Sequence, residues 1–252
     1  MRLAIPRVSV RNARCVANEY YSPGAERAAK VNALFSRIAS RYDLINDLQS
    51  FGLHRAWKRR VVRLAGCRPG ARALDVCCGT GDLAFGLSRA GAETCGVDFT
   101  TAMLEVAAER ASHGAMPQPA FLRADAQALP FPANTFDVVT VGYGLRNLAN
   151  WQAGLEEMLR VAKPGGCLLI LDFGKPENAV WRGAYYAYLR AFVPLLGLAF
   201  CGSARAYSYI LESLVNYPAQ RGVEEAMRRL GMSDVRVENI LGGVMSVNLG
   251  RK

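Results

Sequence analysis

The residues best suited to chemistry surround one glycine turn. In LDVCCGTGDLAF an apolar run ends in Asp75, and a turn carrying Gly79, Thr80 and Gly81 follows it. Glycines in such a turn let a ligand approach the backbone closely, and a helix opening near Asp82 offers its free amides. Asp98 closes a second apolar run 19 residues beyond Gly79. A carboxylate there can accept hydrogen bonds from both hydroxyls of a ribose. The chemistry is recognition of a nucleoside. Gly79-x-Gly81-x-x-Ala84 formally fits the dinucleotide fingerprint. Two acids argue against a dinucleotide. Asp82, opening the helix, would repel a pyrophosphate. Asp125, closing a third apolar run, stands where an adenine amino group would lie. Both favour S-adenosylmethionine. Plainer readings remain open: Asp82 as a helix cap and Asp125 as a turn residue.

A regular alternation positions these acids. From about residue 71 the chain reads ARALDVCC (strand), LAFGLSRA (helix), ETCGVDF (strand), AMLEVAAERAS (helix) and AFLRAD (strand). It continues with a Pro/Asn turn, DVVTVGY (strand), WQAGLEEMLRVAK (helix), the turn KPGG and CLLILDF (strand). Strands alternating with helices predict parallel βαβ units in a doubly wound α/β sheet. Helical patterns precede it in residues 25–65, and an aromatic-rich helical stretch fills residues 176–216. One helix and two short strands close the chain. The expected division is a basic leader, 1–24, and a single domain, 25–252. That domain comprises a helical cap or lid (25–70), a cofactor-binding core (71–175), an aromatic insert (176–216) and a C-terminal helix with strands (217–252).

Composition narrows the setting. The formal net charge is +10 over 252 residues, but residues 1–72 hold fifteen Lys/Arg against four Asp/Glu. The excess therefore belongs to the N-terminal quarter, and points to an anionic partner at that end. The first 18 residues hold four Arg and no acid, a composition like that of an organelle transit peptide. Seven cysteines, with no C-x-x-C pair, suit free thiols in a reducing compartment. Two histidines cannot build a zinc-type cluster by spacing, so no metal is expected. The longest apolar stretch, residues 185–200, is interrupted by Arg190 and is too short to span a bilayer.

Several segments carry a family resemblance. Asp75 ahead of the glycines resembles the Asp-x-Gly-x-Gly-x-Gly loop of methyltransferases, where a carboxylate helps to hold the loop and the cationic methionine end; Cys77 stands where that loop often has Gly. Tyr42-Asp43-Leu44-Ile45-Asn46-Asp47-Leu48-Gln49-Ser50-Phe51-Gly52-Leu53-His54-Arg55-Ala56-Trp57 resembles the N-terminal signature of the ubiquinone/menaquinone biosynthesis C-methyltransferase family. Arg160 to Gly166 resembles its second signature, and Gly142-Tyr143-Gly144-Leu145-Arg146-Asn147 its Phe-Gly-Leu-Arg-Asn segment, with Tyr143 in place of Phe. Asp172 and Gly174 replace the usual Glu and Ser. The resemblance runs from about residue 30 to the C-terminus.

That resemblance implies a class I, Rossmann-like methyltransferase: a seven-stranded, mostly parallel sheet with an N-terminal helical cap. It implies methyl transfer from S-adenosylmethionine to a ring carbon of a polyprenylated quinol, typically demethylmenaquinol, with a ubiquinone or phylloquinone precursor as alternative. Carried over by position, the cofactor contacts are Thr80, Asp98, Asp125 with Ala126, and Gly142, beside Asp75, Gly79 and Gly81. The ring carbon is a weak nucleophile until the neighbouring hydroxyl loses its proton. Arg146, just beyond the fourth strand, is the expected stabiliser of that oxyanion; its guanidinium is too weak an acid to serve as a direct base. Asn147 would orient the hydroxyl or a water. Tyr42, Asp43 and His54 would form a lid over the ring, although His54 reads equally well as a capping or core-edge residue. Tyr185, Tyr186, Tyr188, Phe192, Leu195 and Leu196 are the expected groove for the polyprenyl tail or a membrane-dipping surface, with ordinary helix packing the alternative. Lys58, Arg59, Arg60 and Arg63 would meet anionic headgroups. Competing readings are an O- or N-methyltransferase of soluble small molecules and an RNA-binding protein, though no nucleic-acid module is visible. The expected setting is cytoplasmic, peripheral to the inner membrane, or an organelle matrix or stroma if residues 1–18 are a transit peptide. A homo-oligomer is compatible with all of this.

Overall fold

Continuous apolar runs make the central strands. In the computed structural model, which describes residues 26–114, 118–201 and 205–252, seven strands form one sheet ordered β3-β2-β1-β4-β5-β7-β6. The expected leader, 1–24, lies outside the described residues. β1 (Arg72–Val76), β2 (Glu93–Asp98), β3 (Ala120–Arg123), β4 (Phe136–Gly142) and β5 (Ala162–Phe173) are parallel. β7 (Met245–Arg251) pairs antiparallel with β5 and with β6 (Ser233–Ile240). Central parallel strands are covered on both faces, which is why they read as unbroken hydrophobic runs. Successive side chains still alternate. Leu74, Val139, Val141, Leu168 and Ile170 enter one core, whereas Ala73, Val138, Leu169 and Leu171 enter the core on the other face.

The expected KPGG turn is a correction. Lys163–Gly166 lies within β5 as an irregularity: Phe136 pairs with Ala162, and Val138 next with Cys167. The positive φ of Gly165, +75°, is what that bulge requires. β3 also stops at Arg123, so Asp125 sits two residues past the strand.

The helices between strands are α4 (Asp82–Arg89), α5 (Thr101–Ser112) and α6 (Trp151–Val161). Asn150 starts α6 by accepting the Ala153 amide at 3.1 Å. The cap comprises α1 (Glu26–Ile38), α2 (Tyr42–Ser50) and α3 (Leu53–Ala65). Leu34, Ile38 and Ile45 join the first core, while Val61 and Ala65 join the second. The cap therefore straddles the carboxyl edge of the sheet. The insert is α7 (Ala179–Cys201) and α8 (Arg205–Asn216), leading into α9 (Ala219–Arg229). Asn178 accepts the Trp181 amide at 2.9 Å at the start of α7, and the Trp181 indole donates to the Leu241 carbonyl at 2.9 Å. Among the described residues no helix is long and apolar enough to cross a membrane.

Candidate active site

β1 to β5 all end at one edge, and the expected site residues occupy the loops there, at the switch point between β1 and β4. Gly79 and Gly81 have φ of +55° and +89°. They are glycines for different reasons. A Cβ on Gly79 would meet only a Tyr42 ring carbon at 3.9 Å, whereas one on Gly81 would press to 2.9 Å against Phe85 and Phe121. Gly79 lines a cleft and Gly81 does not. Gly81 therefore packs on Phe85 and Phe121, whereas Gly79 faces the cleft.

The cleft beside Gly79 spans about 790 Å³, part of it open to solvent, and Asp98, Asp125, Ala126, Gly142 and Asn147 are in its wall. Asp98 accepts the Gly79 amide at 2.9 Å and the Thr100 amide at 2.8 Å, one on each oxygen. It holds the turn open toward the cleft. Burial raises its carboxyl above the usual range, opposed by those amides. Asp125 accepts the Gln127 amide at 2.9 Å, so it is both a turn residue and a cleft residue. Asn147 donates to the Tyr143 carbonyl at 3.1 Å, and its buried Oδ1 has no hydrogen-bond partner. Asn147 belongs to this cleft and not to the cleft that holds Arg146. A role at the ring hydroxyl does not match that placement.

A small polar recess of about 300 Å³ continues the cleft, walled by Asp75, Thr80, Asp82 and Lys58. Asp75 is buried between the Thr140 hydroxyl, 2.8 Å away, and the Ala84 amide at 3.1 Å. It ties β1 to β4 and to the start of α4. Burial pushes its carboxyl up to about 7, against the opposing pull of Thr140 and Lys58. Asp82 is not the cap of α4; Gly81 holds that position. Instead Lys58 and Arg110 hold the Asp82 carboxylate at 2.8 and 2.7 Å, and these cations overcome burial to keep it well below the usual range. The Thr80 hydroxyl donates to Asp43 at 2.8 Å, and Arg110 reaches both Asp43 and the Thr80 carbonyl. Cap and glycine turn are therefore latched by one network of charged side chains. Lys58 is buried in it, and Arg60 pairs with Glu238 at 3.0 Å. Of the four cations expected to meet lipid, Lys58 is unavailable, while Arg59 and Arg63 are exposed.

On the other side of the cap lies a second cleft of about 760 Å³, mostly apolar, with Phe35, Ile38, Trp57, Leu189, Val193 and Ile210 in its wall. Arg146, His54 and Tyr42 of the expected set are in its wall. The Arg146 guanidinium is buried. It donates to Asp172 and to the Tyr143 carbonyl, both at 2.7 Å, and lies 4.6 Å from the Phe173 ring centre. Asp172, a departure from the family pattern, thus supplies the counter-charge. Burial raises its carboxyl, and Arg146 opposes that. Arg27 of α1 donates to the Arg146 carbonyl. The aromatic insert divides. Tyr185 and Tyr188 line the cleft, and the Tyr188 hydroxyl donates to the Gln49 carbonyl at 2.7 Å. Phe192 and Leu195 are exposed, and Phe192 stacks on Phe51 of the cap at 6.4 Å. The Leu196 side chain lies outside the described residues.

Tyr42 and Tyr143 line both clefts and the recess. They form the partition at which the two spaces meet. Burial pushes the Tyr42 phenol up to about 12, partly offset by Asn46 beside it. In the sequence Tyr143 stands out only as a departure from the family pattern, not as a site residue. The signal was its place between Gly142 and Gly144 just past a strand end. Its φ of +64° is left-handed, and a Cβ on Gly144 would come within 2.3 Å of the Cys77 Cβ. The glycines let this strained turn aim the ring into the partition.

Fold and clefts together define a methyltransferase of the S-adenosylmethionine-dependent class. The fold is shared with a Thermotoga maritima methyltransferase structure described as a possible histamine N-methyltransferase (TM-score 0.61, 18% identity, 87% of this chain and 99% of that one). It is shared also with the Haemonchus contortus phosphoethanolamine N-methyltransferase 2 in complex with S-adenosyl-L-methionine (TM-score 0.59, 18% identity, 78% and 52%). More specifically, the chain belongs to the ubiE/COQ5 methyltransferase family, whose sequence profile matches residues 24–252. It is 42% identical, over 91% of its length and 92% of the relative's, to the ubiquinone/menaquinone biosynthesis C-methyltransferase UbiE of Azotobacter vinelandii. It is 39% identical, over 91% and 92%, to the demethylmenaquinone methyltransferase of Desulfitobacterium hafniense.

Proposed function

We propose that this chain methylates a ring carbon of a polyprenylated quinol, demethylmenaquinol foremost, using S-adenosylmethionine. The observation that carries this reading is the pairing of an acid-lined cleft with an apolar one across Tyr42 and Tyr143. The acid-lined cleft suits a nucleoside whose other end is cationic. Asp98 stands at the second strand end for ribose, and Asp125 with Ala126 past the third for adenine. Asp75 and Asp82 wall the recess; Lys58 and Arg110 already hold Asp82, so Asp75 is the acid left to meet a ligand's ammonium. The orphan Oδ1 of Asn147 is a further acceptor awaiting a donor.

When bound, S-adenosylmethionine supplies an electrophilic methyl group on a sulfonium. The chain's own residues do the rest. The apolar cleft excludes water from the ring, and Tyr42 and Tyr143 fix the separation of the two reactants. Arg146, held rigid by Asp172 and the Tyr143 carbonyl, stabilises negative charge on the ring oxygen; a pre-oriented charge in an apolar site is the strongest form of such help. Leu189 and Val193, with Tyr185 and Tyr188, give the prenyl tail an apolar path. Exposed Phe51, Phe192 and Leu195 give the insert a surface that can rest in a lipid monolayer. The bacterial relatives favour a place at the cytoplasmic face of the inner membrane. The test is to incubate the purified chain with S-adenosylmethionine and demethylmenaquinol, then follow product mass and NMR. A new ring methyl is the expected result; an O-methyl product or none sinks the reading.

A further inference from the structure

Methylation at carbon requires that a ring hydroxyl lose its proton, and Arg146 cannot take it. His54 stands in the same cleft, at the start of α3. The residue is buried to 2% exposure, and the ring is fixed at one end only: Nε2 lies 2.8 Å from Asp47 Oδ1. Asp47 is itself clamped by Arg55 through two contacts at 2.7 and 2.6 Å. An ionised carboxylate accepts and does not donate, so Nε2 carries the hydrogen and Nδ1 carries the lone pair. That Nδ1 is buried without a hydrogen-bond partner. A buried acceptor left unsatisfied is disfavoured unless something docks on it. Its residue lines the cleft shared with Arg146, Tyr42 and Tyr143.

We infer that Asp47 and His54 form the general-base dyad for the quinol, His54 Nδ1 taking the ring hydroxyl proton while Asp47 holds the imidazole in the required tautomer. This rests on the apolar cleft being the quinol cleft. The step balances as follows. The O–H bond breaks and an Nδ1–H bond forms. The ring carbon beside that oxygen then forms a bond to the methyl as the sulfur–methyl bond breaks, its electrons staying on sulfur. The ring carbon next loses its own proton to solvent, and the imidazolium returns its proton to the ring oxygen. One proton is released per turnover.

The groups facing the imidazole agree with this role. Burial and the Lys58 ammonium lower its pKa, as does its position in the first turn of α3, while Asp47 and Asp82 oppose them. The neutral, proton-accepting form therefore prevails at neutral pH. Asp47 then stabilises the imidazolium as it forms, the division of labour seen in hydrolase triads. The plainer role, a histidine that only joins α3 to α2, uses the Asp47 contact but leaves Nδ1 unexplained.

The test uses the full chain with S-adenosylmethionine and demethylmenaquinol. It compares wild type, His54→Gln, which can still donate to Asp47, and His54→Ala with and without added imidazole. S-adenosylmethionine affinity and thermal melting are measured alongside. For the dyad, kcat falls by roughly 10²–10⁴-fold in both variants. Affinity for S-adenosylmethionine stays within a few-fold, imidazole restores part of the His54→Ala rate, and the residual rate rises with pH as the substrate ionises unaided. A His54→Gln enzyme that keeps kcat within a few-fold overturns the dyad, as does a loss with no imidazole rescue and an unaltered pH profile. If wild type methylates no quinol at all, the parent reading falls and takes the dyad with it.

Discussion

The two clefts share a wall yet are closed by opposite chemistry. Over the recess that continues the acid-lined cleft, the cap is fastened by charges: Asp43, Lys58, Asp82 and Arg110 with the Thr80 hydroxyl. Over the apolar cleft it is closed by rings and aliphatic side chains, and Arg146, paired with the buried Asp172 behind it, sets one charge into that lining. The contrast teaches that one cap serves two substrates with different needs. A polar ligand arrives from water and can trade places with charged latches. A lipid ligand arrives from a membrane and needs an apolar path.

The largest effect should come from disturbing the charge in the apolar cleft. Arg146→Ala leaves Asp172 buried without its partner, an imbalance worth about 3–5 kcal/mol of stability. Arg146→Met with Asp172→Leu should recover the melting temperature without recovering methyl transfer. If the double variant methylates the quinol, Arg146 has no electrostatic role. The acid-lined side is probed by pH. A cation in the recess favours the ionised Asp75, whose carboxyl is raised to about 7. Binding S-adenosylmethionine should therefore release a proton, and affinity should climb by up to about tenfold per pH unit from pH 5 to 7, then level off. Calorimetry in buffers of different ionisation enthalpy checks this, and Asp75→Asn should flatten the slope. The same shift makes the Asp75 contribution to stability fully present below about pH 4 and lost as pH rises through 7.

A smaller effect is expected from the latch. Arg110→Met should raise the KM for S-adenosylmethionine about fivefold and leave the quinol KM unchanged, since partly exposed pairs contribute about 1 kcal/mol or less. Equal changes in both would mean that the cap moves as one lid over both clefts. The least effect on the chemistry should follow Phe51→Ser with Leu195→Ser: turnover of a short-tailed quinol unchanged, flotation with anionic vesicles reduced. Unchanged flotation removes the lipid-resting surface.

The parallel core was legible because its signals are local. Buried strands read as apolar runs, and acids near strand ends are visible by spacing: Asp98 ends β2, and Asp125, two residues past β3, shares its cleft. Position in a motif could not tell the two glycines apart: Gly81 answers to Phe85 and Phe121, one of them forty residues away. Asp82 carries no mark of Lys58 and Arg110, and Asn147, adjacent to Arg146, turns to the other cleft because a single-turn helix separates neighbours by about 120°. The KPGG bulge failed as a turn because strand pairing on both sides overrides local turn preference.

Arg27 meets the Arg146 carbonyl across 119 residues of sequence, and Gln49 meets Tyr188 across 139. The cap is made early in synthesis, but its partners emerge much later. At about 5–20 residues per second, Arg27 waits on the order of ten seconds for Arg146. Through that interval α1 and α2 have apolar faces and no core to join. These two contacts of the cap can therefore form only after residues 146 and 188 have been made. The segment that closes both clefts in the finished protein is thus the one most in need of shelter while the chain is being made.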